Sequence, residues 1–419
     1  MRTPKQLGAH AEAMLAELAA FSDGDNGLTR LYLSPAHRRA ADHVAGWMRA
    51  AGLETAVDPL GTVRGRWKPE RKRRLLIGSH IDTVVDAGRY DGMLGVVAGI
   101  LAVEEIAARG LALPFGIDVL AFGDEEGVRF PTTLVSSAAL AGCLVPSDLD
   151  TRDAEGVSLR EALVAFGGDP EAAASAAYGR DEAVAYLEVH IEQGPVLEAE
   201  GLPLGVVTSI AGQSRFNITV TGEAGHAGTV PMALRRDALA ASAEMMLAIE
   251  DVARRGAAHQ MVATVGRIAA RPGAVNVIPA EVAFTLDIRA DADAPRHAAI
   301  AELEARLLTI ATGRKVSARM EKFFESPTTP CAARLQEAFA AALGDLGLGQ
   351  RRLASGAGHD GHAMHHLTDV GMLFVRCRGG ISHNPAEFAA VDDMGLAVEA
   401  LVGAAVRLAA DAASSGDRT

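Results

Sequence analysis

The chain has 419 residues, of which 49% are hydrophobic and 22% charged, with a formal net charge of −13. That length exceeds what one core usually organises, so two domains are expected. The acidic balance argues against nucleic-acid binding and leaves an anionic ligand dependent on a local cation.

Residues 4–21 read as a helix, and a second starts at Ser34-Pro35, cap then first turn, with Val44, Trp47 and Met48 on one face. Short strands at 55–57 and 62–67 lead to the apolar run Leu75-Leu76-Ile77, a buried strand ended by Gly78-Ser79. His80 and Asp82 follow directly, then Asp91 in a Tyr-Asp-Gly turn, then a helix over 93–108. Residues 116–122 form another buried strand, closed by GDEEGVRFP with Glu125 and Glu126. A loop with short helices covers 146–182, and a strand at 183–190 ends on His190, with Glu192 and Gln193 next. Such strand–helix alternation argues a mixed sheet covered by helices.

The pattern changes near residue 211. Residues 213–221 alternate, as a half-exposed antiparallel strand would, and a Gly-rich loop at 222–232 holds His226. A helix at 236–254, strands at 261–268 and 282–288, a helix at 295–311 and a strand at 316–323 complete a β–α–β–β–α–β unit. The chain then returns through a helix at 332–343, the loop SGAGHDGH, a strand at 372–375, GGISHNP with His383, and a last helix at 392–410. The expected fold is therefore α/β: a mixed-sheet domain covered by helices over 1–211 and 326–419, and an inserted two-layer α+β domain over 212–325.

Cys143, Cys331 and Cys377 are far apart, which fits a reducing compartment without a disulfide framework. The longest apolar run, Leu94 to Val103, is too short to span a bilayer, and the first residues lack a signal peptide's apolar core. The expectation is a soluble, cytoplasmic protein with neither a membrane nor a nucleic acid as partner.

Asp82 or Asp91 alone would read as a helix-capping loop residue, and Glu125-Glu126 as a charged turn. Recurrence past one buried strand after another reverses that preference, because open α/β sheets build sites there. His80, Asp91, Glu126, His190 and His383 are three imidazoles and two carboxylates, a mixed N/O set suited to Mn²⁺, Zn²⁺, Co²⁺ or Ni²⁺. Five ligands exceed one open catalytic site and suit two divalent ions per chain, which Asp91 could bridge. Asp82 is placed to hold the other nitrogen of His80. Glu125, left unbound, could shuttle a proton to a leaving nitrogen.

The stretches GSHIDTV, YDGMLGV, GDEEGVRFP, LEVHIEQGPVLE, GHAGTVPMALRRDAL, RPGAVNVIP, FTLDIR, SGAGHD and GGISHNPAE run in order along nearly the whole chain. Together they resemble the dinuclear-metal amidohydrolases of the aminoacylase and carboxypeptidase-G2 superfamily, in the branch of allantoate amidohydrolases and N-carbamoyl-L-amino-acid hydrolases. The resemblance implies the same five ligands with Asp91 bridging, and Glu125 as general base. It implies substrate contacts at Gln193, His226, Asn276, Arg289 and the backbone near Gly358. It further implies that the mixed-sheet domain is catalytic and the inserted one a lid and dimerisation domain, in a homodimer in which His226 reaches the partner's site. The implied substrate is a small anionic ureido compound whose carboxylate Arg289 would clamp, and whose hydrolysis yields ammonia and CO2. The runs RFPTTL, GTVPMALRRDA and FVRCRGGISHNPAE are closer to the allantoate enzymes; an N-carbamoyl-L-amino acid is the alternative. A non-catalytic, metal-dependent binding protein of the same fold is a third reading, against which the complete ligand set and Glu125 count. Ser136-Ser137, Ser209 and Gly361 depart from the family pattern without touching a ligand position. His359 and Asp360 are expected to line the pocket wall.

Overall fold

The computed structural model describes residues 1–25 and 27–414. Helix α1 (Pro4–Ala19) opens with a capping box in which Thr3 and Gln6 satisfy each other's main chain, and α2 (Pro35–Ala50) is capped by Ser34. Strands β1 (Glu54–Val57), β2 (Val63–Trp67) and β3 (Arg74–His80) precede α3 (Met93–Ala108) and β4 (Gly116–Phe122). Next come α4 (Val135–Leu140), α5 (Leu159–Phe166), β5 (Ala183–Ile191), α6 (Val196–Ala199) and β6 (Leu204–Ile210). Then follow β7 (Gly212–Thr221), β8 (Gly225–His226), α7 (Ala238–Arg255), β9 (Val262–Thr264), β10 (Ile268–Arg271), β11 (Val277–Ile278) and β12 (Glu281–Ala290). The chain ends with α8 (Asp293–Gly313), β13 (Ser317–Ser326), β14 (Thr329–Pro330), α9 (Ala333–Asp345), β15 (Arg352–Ser355), α10 (Gly361–Met364), β16 (Val370–Val375) and α11 (Val391–Ser414).

Two compact units result. The larger comprises Met1–Thr208, Cys331–Leu353 and Ala357–Thr419; the smaller comprises Ser209–Pro330 and Ala354–Gly356. The mixed sheet runs β1-β2-β4-β3-β5-β16-β6-β14, with β15 beside β6. β4, β3, β5 and β16 are mutually parallel at its centre, β2 and β6 run antiparallel to them, and β1 is antiparallel to β2. Every residue of β3, β4 and β16 is buried, which is why these strands read as nearly continuous apolar runs rather than alternating ones, interrupted in β4 by Asp118, which pairs with Arg74 of β3. α3 packs on β3, β4 and β5, and α1, α3 and α9 pack on α11. Parallel strands share a direction, so β3, β4 and β5 deliver their C-terminal ends, and the residues after them, to one edge of the sheet.

In the smaller unit the antiparallel sheet runs β10-β12-β7-β13, with β9 also beside β12, and α7 and α8 pack on it. Alternation does the folding here. Phe216, Ile218, Val220, Phe284, Leu286 and Ile288 face a core shared with Met245, Ile249 and Leu303. The intervening residues, Gln213, Arg215, Asp287 and Arg289 among them, stay partly exposed on the opposite face. α7 is started by Asp237, whose carboxylate accepts from the main-chain N–H groups of Leu239 and Ala240.

Two elements differ from expectation. The single strand expected at 261–268 is two, β9 and β10, broken around Gly266, and both lie along β12. β6 is a strand that sequence pattern does not announce: it is nearly all buried, so it lacks alternation, and Gly205 and Ser209 dilute its apolar run.

Candidate metal centre and substrate groups

The donors assemble around Asp91. Its Oδ1 stands 3.1 Å from His190 Nε2 and 3.7 Å from His80 Nε2, and its Oδ2 stands 3.3 Å from His383 Nε2. Glu126 Oε2 is 3.6 Å from His383 Nε2. Two donor groups thus share one carboxylate: His80, His190 and Asp91 on one side, and Asp91, Glu126 and His383 on the other. Glu125 Oε2 lies 3.9 Å from His80 Nε2, next to both groups.

The first two imidazoles are oriented by the main chain. His80 Nδ1 donates to the carbonyl of Asp82 at 3.0 Å, and His190 Nδ1 donates to the carbonyl of Ile191 at 2.9 Å. Each ring then presents Nε2 with its lone pair, the form a metal takes. His190 Nε2 is buried without a hydrogen-bond partner, and a nitrogen so placed beside carboxylate oxygens fits a divalent cation. Gly92 makes room for the His80 ring: it sits at φ +70°, and a Cβ there would lie 2.5 Å from three ring atoms.

Asp82 stands at the other nitrogen of His80, as expected, and has a second part besides. Its carbonyl accepts from His80 Nδ1 at 3.0 Å with the carboxylate Oδ1 3.6 Å from the same nitrogen, and the carboxylate in addition accepts from the main-chain N–H groups of Glu125 and Glu126 at 3.3 and 3.2 Å. One residue therefore fixes both strand-end loops. Asp124, at φ +65°, makes the turn before Glu125 and Glu126, whose carboxylates both come within 4.8 Å of a His80 nitrogen.

Four residues support the donors, and three of them, Ser382, Glu387 and Glu188, lie outside the residues that strand-end reasoning singles out. Gln193 and Ser382 both donate to Asp91 Oδ2, at 2.9 and 3.0 Å. Glu387 accepts from the N–H groups of Tyr90 and Asp91 and from the Ser382 hydroxyl. Buried Glu188 accepts from Ser79, Tyr186 and the N–H of Gly361. Glu387 closes the GGISHNPAE stretch, and Glu188 is a charge inside an apolar strand; both were visible signals. His359 and Asp360 are fully buried, and the His359 ring meets His190 edge-on at 4.4 Å.

Charge in this region is strongly redistributed. Burial pushes the Glu125 carboxyl well above the ordinary range, and burial together with Asp91 pushes Glu126 up to about 7. Burial also works against ionised Asp91, but its contacts with His190 and His383 outweigh that and hold it well below the usual carboxylate value. Gly358 lies against Glu125: a Cβ there would be 3.5 Å from Oε1.

In the smaller unit, His226 and Asn276, fifty residues apart in sequence, become neighbours. β8 and β11 pair with His226 opposite Val277, and Ala227 N–H donates to the Asn276 carbonyl at 2.9 Å. His226 is exposed, and its Nδ1 accepts from the N–H of Gly228 at 3.1 Å, which leaves Nε2 as the donor of the neutral ring. Arg289 is engaged by its own unit: Nε and Nη2 donate to Asp287 at 3.0 and 3.1 Å, and Nη1 donates to the carbonyl of Gly356.

Comparison with known proteins agrees with this geometry. The family described as Peptidase family M20/M25/M40 matches residues 76–407. A probable allantoate deiminase of Oryza sativa subsp. japonica is 42% identical over 96% of this chain and 88% of its own. An N-carbamoyl-L-amino acid amidohydrolase of Geobacillus stearothermophilus is 41% identical over 90% of this chain and 92% of its own. Among solved structures, an amidase of the hydantoinase/carbamoylase family from Burkholderia multivorans superposes with a TM-score of 0.90 at 31% identity, covering 96% of this chain and 98% of that one. The chain belongs to the M20/M25/M40 family. Among the described residues, no helix is long and apolar enough to cross a membrane.

Proposed function

We propose that this member of the M20/M25/M40 family is a dinuclear-metal amidohydrolase that cleaves the ureido group of a small anionic substrate, with allantoate as the lead substrate. The observation that carries the reading is Asp91, whose two oxygens face two separate donor groups with Glu125 beside them. His80, His190 and Asp91 would hold one ion, and Asp91, Glu126 and His383 the other, with manganese the first choice and zinc, cobalt or nickel the alternatives. When bound, the ions supply positive charge that polarises the ureido carbonyl and acidifies water.

The chain's own groups do the rest. Glu125 takes a proton from the attacking water and delivers it to the leaving nitrogen, so that R–NH–CO–NH2 and H2O become R–NH2, NH3 and CO2. His226 offers its Nε2–H, and Asn276 its amide, to the oxyanion that develops on the carbonyl. Arg289 receives the substrate carboxylate, Gln193 and the Gly358 backbone complete the contacts, and Asp82 keeps both loops in register. In a homodimer, His226 would serve the partner's site.

The relatives carry both an allantoate and an N-carbamoyl-amino-acid name at nearly equal identity. The preference for allantoate therefore rests on the runs RFPTTL, GTVPMALRRDA and FVRCRGGISHNPAE. The deciding experiment is ammonia release from allantoate and from N-carbamoyl-L-amino acids with added Mn²⁺, alongside metal analysis. Allantoate should turn over faster, with close to two ions per active chain. Absence of ammonia from both substrates would sink the reading, and full activity at one ion would sink its dinuclear part. Subunit exchange tests the partner's part. Inactive His226→Ala and Glu125→Gln chains, once mixed, should regain activity, and silence after verified exchange would place His226 in its own chain's site.

A further inference from the structure

The open face of the smaller sheet carries a square of four polar side chains. In the β7–β12 register, Asp287 lies opposite Arg215 and Arg289 lies opposite Gln213. Asp287 Oδ1 accepts from Arg289 Nε, and Oδ2 accepts from Arg289 Nη2, Arg215 Nε at 3.0 Å and the Gln213 amide. Arg215 is steadied in turn by the ring of Phe324, 5.1 Å from its guanidinium carbon. A bulge between Lys322 and Phe324 sets Phe324 opposite Arg215. Arg215, Asp287, Arg289, Phe323 and Gly356 line a cavity of about 520 Å³.

A guanidinium has five N–H groups. Asp287 takes two from Arg289 and Gly356 takes one, which leaves one N–H on each terminal nitrogen, the pair that a bidentate carboxylate needs. Burial works against ionised Asp287, but the bonds from Arg289, Arg215 and Gln213 prevail and keep its carboxyl below the ordinary value. It thus stays charged in the range where a carboxylate substrate is also charged.

We propose that Asp287 is a positioning residue: anchored by Arg215 and Gln213, it holds the side edge of Arg289 so that the guanidinium meets the substrate carboxylate end-on, already oriented. This rests on the reading that Arg289 receives that carboxylate. An arginine held beforehand loses less rotamer freedom on binding, so the effect appears in substrate affinity rather than in the chemical step.

Asp287→Asn is the central variant. KM for the carboxylate substrate should rise by about tenfold, roughly one 1.4 kcal/mol step, with kcat nearly kept. For the corresponding N-carbamoyl amino acid amide, which lacks the carboxylate, kcat/KM should stay level. Arg215→Gln, which keeps Asp287 but removes one anchor, should show the same pattern more weakly. Equal loss on both substrates would mean a merely structural role, and a lowered KM would mean that Asp287 competes with the substrate; either overturns the proposal. A second readout needs no turnover. In the ¹⁵N-arginine-labelled full chain, the Arg289 side-chain resonance, assigned through Arg289→Lys, should show restricted guanidinium rotation that Asp287→Asn releases. An unchanged resonance overturns the proposal. Release of the resonance in a protein inactive on all ureido substrates would support the holding role and place the failure with the proposed reaction.

Discussion

In the larger unit three of the five candidate donors, His80, His190 and Asp91, are at most 3% exposed, while the His383 side chain is 50% exposed. In the smaller unit the candidate substrate groups ride on faces that solvent reaches: His226 is exposed and the Arg289 side chain is 28% exposed. Within the first set, the His80 and His190 rings are fixed by main-chain carbonyls one or two residues away, while Asp91 is held by Gln193, Ser382 and Glu387 from distant parts of the chain. The second is fixed by cross-strand register, which joins residues about fifty to seventy positions apart in the sequence. In the proposed reaction the buried groups govern the chemical step, whereas the open-face Arg289 tunes affinity and the exposed His226 lends its N–H to the developing oxyanion.

The largest test of that division is Glu125→Gln. It removes a proton carrier and no donor, so kcat should fall by roughly 10²–10⁴-fold while metal content and fold remain. Near-normal kcat would move the chemical role elsewhere and blur the contrast.

Acid separates the units next. His37 is fully buried in the larger one, and its Nδ1 accepts from the N–H of Leu33 at 2.9 Å, so the fold requires the neutral ring. Burial lowers its pKa from 6.5 to about 4. The stability contributed by the neutral form is fully present above pH 6.5 and is lost as pH falls from there toward 4, to a limit of roughly 3 kcal/mol. His37→Asn retains an acceptor and cannot titrate. Its stability relative to the native chain, followed by denaturant unfolding, should therefore rise across that window; parallel curves would remove His37 as the cause.

A smaller effect is expected at Gly92→Ala. The added methyl meets the His80 ring at a positive φ, so metal affinity should fall by about 10–100-fold, the range for displaced support around a metal ligand. Unchanged affinity by metal titration would show that the ring can move aside. The mildest change is Arg289→Lys, where a point charge replaces a planar fork. KM should rise by about tenfold with kcat nearly intact. A fall confined to kcat would transfer Arg289 from binding to chemistry.

The same division decides what could be read without coordinates. His80, Asp91, Glu126 and His190 were legible because buried parallel strands are continuous apolar runs, and a polar residue just past one has few ordinary explanations. The carbonyl role of Asp82 was not, since a sequence shows side chains and hides which end of a residue is used. Arg215 and Asp287 were readable as open-face residues from alternation. That they stand opposite each other was not, because alternation leaves the partner strand and its offset undetermined. β6 escaped for the reverse reason: burial on both faces erased the period that would have marked it.

The unbroken ten-residue ladder between β7 and β12 also governs how this lineage can change length. Inserting or deleting one residue within either strand would turn Arg215, Asp287 or Arg289 toward the helices and bring Phe216, Leu286 or Ile288 to the surface. Such indels should be purged. β13, already carrying an extra residue between Lys322 and Phe324 against the other side of β7, can gain or lose length with a local adjustment. Evolutionary drift in chain length is thereby steered to one edge of the sheet, while the strands that carry the ligand-facing square can vary by exchange of side chains alone.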